Sequence, residues 1–281
     1  MSACIRVRIV YSGAVGYGRL GGVKQVMRGM MRTDAGLGVV FAPMVWSDVD
    51  DVIDEYDAMW GMHSSDPHVA EVSRLLSAYC VYHYIALSTG AEVARMNGRF
   101  LGVLMTRLPG RFPLFGEIGR CLEKTGAELD AGELGRKMLA LVRERFDEEL
   151  ELENRSKVRD ATQAEVELFI VSDVARGRGV GRGLWSRTMS YLRDADVKCF
   201  YLHTDSQCDV SFYDAHGMDC VVSHHSDARP SEKDEESATT GFSGPMGDEM
   251  FIYVGDPRRI RRTTKGRHHK ESVQALRGEE R

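Results

Sequence analysis

The sequence predicts an α/β fold, and three observations predict it. Strand-like apolar runs and amphipathic helical runs succeed one another from Leu37 to Asp256. An Asn97-Gly98 pair stands between the apolar runs AEVARM and RFLGVLMTRL, the strongest short-range signal for a β-hairpin. The stretch VELFIV then runs into a Gly-rich, Arg-flanked turn that opens a helix, and a further strand, FYLHT, follows.

The elements follow in order. Cys4 to Tyr11 has strand character, and Gly16-x-Gly18-x-x-Gly21 precedes the helix-like VKQVMRGMM. This matches a dinucleotide fingerprint, but the glycines do not follow the strand directly and no ribose-binding acid ends a second strand. Residues 1–36 are therefore read as an N-terminal extension, poorly ordered on the plainer reading. Val39 to Met44 predicts a strand. Ser47 is a good N-cap for a helix carrying Val49, Val52, Ile53, Tyr56 and Trp60 at helical spacing. A second helix spans about Pro67 to Leu87, started by Asp66-Pro67. In the hairpin's second arm, Gly102 marks a bulge or a close backbone approach.

Residues 109–160 read as mostly helical, with breaks at Pro113, Gly116 and Gly126. Leu134, Met138, Leu141, Val142, Phe146 and Leu150 form an apolar stripe. Glu144, Glu148, Glu149, Glu151 and Glu153 lie off it, and a solvated helix face accounts for most of them. After the Gly-rich unit, Asp219 to Ser223 predicts a short strand. Residues 226–248 are polar and read as a flexible loop, and Glu249 to Val254 returns as a strand. The tail 257–281 is basic at first, then mixed, and is expected to be disordered.

Bulk properties set limits. The 281 residues, 43% hydrophobic and 28% charged with a net charge of −5, suit one large domain or two small ones and demand neither nucleic acid nor membrane. No apolar run approaches a membrane span, and the N-terminus lacks the apolar core and cleavage site of a secretory signal. The six cysteines are scattered with no C-x-x-C pair, which suggests free thiols in a reducing cytoplasm and argues against zinc. His224-His225 and His268-His269 are read as surface histidines in loops.

The informative chemistry lies between Val166 and Met218. Glycines at 177, 179 and 181 let the backbone approach a ligand and adopt positive φ. Successive N–H groups and the positive end of the following helix can then meet phosphate oxygens, with Arg176, Arg178 and Arg182 adding charge. No Lys-Ser/Thr pair follows, which excludes a Walker-type loop.

This unit resembles the Gcn5-related N-acetyltransferase (GNAT) superfamily. The family's Arg/Gln-x-x-Gly-x-Gly/Ala turn matches Arg176, Gly179 and Gly181. A later strand and a short helix with Phe212-Tyr213, then Gly217-Met218, match its second half. The resemblance implies a GNAT-like central mixed β-sheet flanked by helices over residues 37–256, with 109–160 as a helical insertion between the third and fourth strands. It implies acetyl-CoA as cofactor, its pyrophosphate held by the turn from Arg176 through Gly177, Arg178, Gly179, Val180 and Gly181 to Arg182. The strand Glu167 to Val171 would bond the pantetheine arm through its backbone. Tyr213 matches the tyrosine that protonates the departing thiolate, and a phenol of pKa about 10 suits that task. The acceptor amine must lose a proton before direct attack, and Glu167, with Glu165 on the same face of the strand, is the first candidate base. The implied partner is a small-molecule or protein amine, and a homodimer is admitted.

Some positions depart from the family pattern: Asp173 for proline, Ala175 for an aromatic, Ser206 for asparagine, Asp209 for a small residue, and Met218 for phenylalanine. Two alternatives follow: a CoA-binding regulatory module without catalysis, or a nucleic-acid-associated protein acting through Arg258 to Lys270.

Overall fold

The computed structural model describes residues 38–225 other than Arg176, residues 249–259, and the backbone of two short strands nearer the N-terminus. The 16–21 glycine pattern, the loop 226–248 and most of the basic tail lie outside the described residues.

The strands are β1 (Ile5–Arg6), β2 (Arg32–Asp34), β3 (Val39–Pro43), β4 (Gly90–Met96), β5 (Arg99–Arg107), β6 (Ala164–Val171), β7 (Phe200–Asp205), β8 (Asp219–His225) and β9 (Glu249–Gly255). They form one mixed sheet in the order β2-β3-β4-β5-β6-β1-β7-β9-β8. Helices α1 (Val49–Trp60) and α2 (Pro67–Leu87) separate β3 from β4. Helices α3 (Ile118–Ala131), α4 (Glu133–Ser156) and α5 (Val158–Ala161) stand between β5 and β6. Helix α6 (Val180–Asp194) joins β6 to β7, and α7 (Ser211–Ala215) follows β7. Counted from β3, the α3–α5 insertion falls between the third and fourth strands.

Local chemistry explains these choices. Asn97 and Gly98 both take positive φ, 53° and 79°, and turn the β4–β5 hairpin. Asp66 caps α2 by accepting from the His68 N–H at 2.8 Å. Gly102 is a close approach: a Cβ there would lie 2.5 Å from the Ile170 carbonyl oxygen of β6. Two expectations are corrected. Ser47 does not cap α1; a 3₁₀ turn over Trp46–Asp48 comes first, and the Asp48 side chain turns back to accept from the Val45 N–H and to pair with Arg95. Gly126 does not break α3, because it packs against the Tyr79 ring of α2; the break comes at Gly132.

Each face of the sheet buries its own core. On one, α1–α4 cover Val93, Val103, Met105, Leu168 and Ile170. On the other, α6 and α7 cover Leu104, Val166, Phe169, Leu184 and Tyr213. Burial of such side chains contributes roughly 1.5–3 kcal/mol each. The C-terminal half of α4 leans across β7 and β9, where Leu152 meets Tyr201, Met250 and Ile252.

Candidate active site

Strands β6 and β7 run parallel but pair only at their starts: Ala164↔Phe200, Glu165↔Tyr201 and Val166↔Leu202. Beyond that they part. The backbone of β1 lies in the opening, with Ile5 opposite Phe169, and with Arg6 opposite Leu168 on one side and His203 on the other.

The turn predicted to hold phosphate lies at the end of β6. Gly177 and Gly179 have φ of 72° and 71°, and an added Cβ at either would meet nothing within 4 Å among the described residues. Residues 177–179 are exposed, and no side chain among the described residues caps the start of α6. The first-turn N–H groups of a helix have no partner within the helix, so this open terminus suits an anionic group. Arg178 and Arg182 are exposed beside it, while Val180 is buried and can offer only its backbone. Val171 ends β6 with its side chain 3.4 Å from the Cβ position of Gly181. Arg176 lies outside the described residues. The turn fits a diphosphate of the acetyl-CoA kind, and the backbone of β6 leads from it to Glu167.

Glu167 occupies a bulge. Met105 pairs with Leu168 and Thr106 with Val166, so Glu167 has no opposite number on β5. Its carboxylate is fully enclosed, and Arg107 Nε approaches its Oε1 at 2.9 Å. Burial pushes Glu167 up to about 8; Arg107 opposes this and Glu153 adds to it. A carboxylate so raised is a stronger base than an exposed one, and its ionised fraction grows through the mildly alkaline range.

Glu165 shares that face, as its parity predicts. It pairs with Arg107 and accepts from the Tyr201 hydroxyl at 2.6 Å. Glu149 and Glu153 are corrections to the solvated-face reading: both are buried, at 2% and 1% exposure. Glu153 forms an ion pair with Arg159 at 2.7 Å and lies 3.0 Å from His203 Nε2. Burial alone would raise Glu153, but His203, Arg159 and Arg107 outweigh it, and its pKa lies below the ordinary carboxylate value. The sequence reading missed His203. Its one signal was a histidine directly after the apolar run Phe200-Tyr201-Leu202 of a buried strand. His224 and His225 stand on β8 rather than in a loop.

Tyr213 lies on the other face, fully buried on α7 against Trp185 and Tyr253, with ring centroids 6.2 and 5.4 Å away. Phe212 beside it packs edge-on against Phe169 of β6. The two residues expected to be catalytic are thus not neighbours; they lie on opposite faces of the sheet.

No family model matches the sequence, and no curated protein matches it. Among solved structures, the chain is similar to a Drosophila melanogaster polyamine N-acetyltransferase that forms N-acetylagmatine, with a TM-score of 0.44 and 13% identity over 78% of this chain and 99% of that one. A mosquito arylalkylamine N-acetyltransferase like 5b gives 0.44 and 18% over 78% and 99%. A Corynebacterium glutamicum protein, described as histone acetyltransferase HPA2 and related acetyltransferase, gives 0.42 and 15% over 79% and 97%. These are likenesses of outline, and the functional reading rests on the residues of this chain. No helix among the described residues is long and apolar enough to cross a membrane.

Proposed function

We propose that the protein is an acetyl-CoA-dependent N-acetyltransferase that acts on a primary amine by direct attack in a ternary complex. One observation carries the reading. An open, positive-φ glycine turn begins α6 at the end of β6, where β6 and β7 have parted, and a buried base and a buried phenol lie on opposite faces of the sheet.

Acetyl-CoA supplies an activated acyl group on a thiol leaving group. The Gly177–Arg182 turn holds its diphosphate through backbone N–H groups and the dipole of α6. The β6 edge from Val171 to Leu168, which β1 pairs with at Phe169 and Leu168, guides the arm inward once that short strand gives way. Glu167, on the α4 face, takes a proton from the amine. Tyr213, on the α6 face, gives one to the leaving thiolate. Base and acid on opposite faces suit a reaction whose two substrates enter from opposite sides, with no acyl-enzyme stage.

Isothermal calorimetry with acetyl-CoA, followed by thiol release with arylalkylamines, polyamines and agmatine, tests this. Saturable binding and turnover are expected. A chain that binds no acetyl-CoA refutes the reading; one that binds it but acetylates nothing favours the regulatory-module alternative.

A further inference from the structure

Between a protonated amine and its amide, nitrogen surrenders two protons. One is balanced by the proton that Tyr213 gives the thiolate. The other must be held on the α4 face and then released. Glu167 is fully enclosed, so it needs a neighbour in that task.

The split supplies one. The last β6–β7 pair is Val166↔Leu202, so Glu167 and His203 are the first residues beyond it on their two strands. The β1 backbone passes directly between Leu168 and His203. An extended arm in its place lies one strand spacing, about 4.8 Å, from each.

His203 is built to accept. Its side chain is 2% exposed, and Nε2 is 3.0 Å from Glu153 Oε1. An ionised carboxylate can only accept, so Nε2 carries the hydrogen, and in the neutral ring Nδ1 presents its lone pair. Nδ1 is buried without a hydrogen-bond partner among the described residues. Arg159 anchors Glu153 at 2.7 Å, which fixes the ring through it.

The surrounding charge leaves room for a proton. Four buried carboxylates, Glu149, Glu153, Glu165 and Glu167, face the guanidinium groups of Arg107, Arg145 and Arg159. With Glu167 ionised, as a base must be, these described groups carry one negative charge in excess. Release to solvent has a route as well. A pocket of about 240 Å³, lined in part by Arg107, Arg159, Glu165 and Tyr201, opens beside the cluster. An oxygen of Glu165 lies within 4.8 Å of a ring nitrogen of His203.

We propose that His203, oriented by Glu153, is a second catalytic base that shares with Glu167 the proton surrendered by the acceptor amine. This rests on the acyl-transfer reading. As the nitrogen–carbon bond forms and the carbon–sulfur bond breaks, the thiolate takes the Tyr213 proton. The nitrogen's two protons go one to restore Tyr213 by way of solvent and one to the Glu167–His203 pair, then out past Glu165.

The test compares wild type, His203→Gln and Glu153→Gln on 2-phenylethylamine and on its β,β-difluorinated analogue, which has nearly the same shape and a far less basic nitrogen. Acetyl-CoA affinity is measured alongside by calorimetry. His203→Gln should lower kcat on the basic amine by about 10²-fold and on the fluorinated amine by less than about tenfold, with acetyl-CoA affinity unchanged. Glu153→Gln should act in the same direction, less strongly, because a glutamine oxygen still accepts from Nε2. Equal losses on both amines, or none, overturn the proposal, and if His203→Gln does not fold, Glu153→Gln decides on the same criterion. A wild-type chain that binds no acetyl-CoA overturns the acyl-transfer reading and this proposal together; full turnover by both variants overturns this proposal alone.

Discussion

Replacing Glu167 with glutamine should make the protein more stable, and increasingly so as pH rises. The Glu167 carboxyl is fully buried in the bulge and is pushed up to about 8 from an ordinary value of 4.5. The folded chain therefore holds a proton that the unfolded chain releases. No penalty exists below the unfolded pKa; between the two values, stability falls as pH rises, and it levels off above the folded pKa. At 1.36 kcal/mol per unit, the penalty is about 1–2 kcal/mol at pH 5.5, about 3 at pH 7 and about 5 at pH 9. Glutamine imitates the protonated acid and never ionises, so it removes the pH-dependent part. Urea denaturation of both proteins at those three pH values gives the difference directly. The variant's advantage should widen by roughly 3 kcal/mol from the lowest to the highest pH. The same substitution should cost about 10²-fold or more in acetyl transfer. A stability difference that stays flat with pH would show that Glu167 is ionised throughout, and its assignment as a raised base would fail.

Other outcomes follow from the site. Tyr213→Phe removes one buried hydroxyl and should reduce kcat about 10²-fold while leaving acetyl-CoA affinity within a factor of a few; unchanged turnover would dismiss the phenol as proton donor. Gly179→Ala forces an L residue into φ 71° at a point with no steric neighbour, costing about 1–2 kcal/mol by strain. It also sets a methyl where the diphosphate would sit, so calorimetry should show weaker binding of acetyl-CoA; equal affinity would place the phosphates elsewhere. Deleting residues 1–10 frees the β6 edge that Ile5 and Arg6 now pair with, and should tighten acetyl-CoA binding; weaker binding would mean that the segment completes the site.

Much of this arrangement could be read from local sequence. The hairpin at Asn97-Gly98, the start of α2 at Asp66-Pro67 and the strand–turn–helix around Gly179 are set by residues a few positions apart. So was the shared face of Glu165 and Glu167, because strand parity is a local property. What could not be read depends on contacts distant in sequence. Glu149 and Glu153 fall on the polar side of the α4 pattern, yet that side is buried: Arg145 meets Glu149, and Arg159 and His203 meet Glu153. Polarity predicted solvent, but the ions were satisfied by other ions. The insertion of β1 between β6 and β7, some 160 residues further along the chain, was equally invisible to any local pattern.

Helix α4 belongs to the segment that interrupts the domain between its third and fourth strands, and so looks dispensable. It is not. Its register delivers Glu153 to His203, and each residue of an α-helix turns the chain by about 100° and advances it about 1.5 Å. Losing a single residue upstream in α4 would swing that carboxylate away from the imidazole while leaving the helix itself intact. The interruption is therefore keyed to the strand it crosses: its length can vary at the loops around residues 108–117, and not between Glu133 and Glu153.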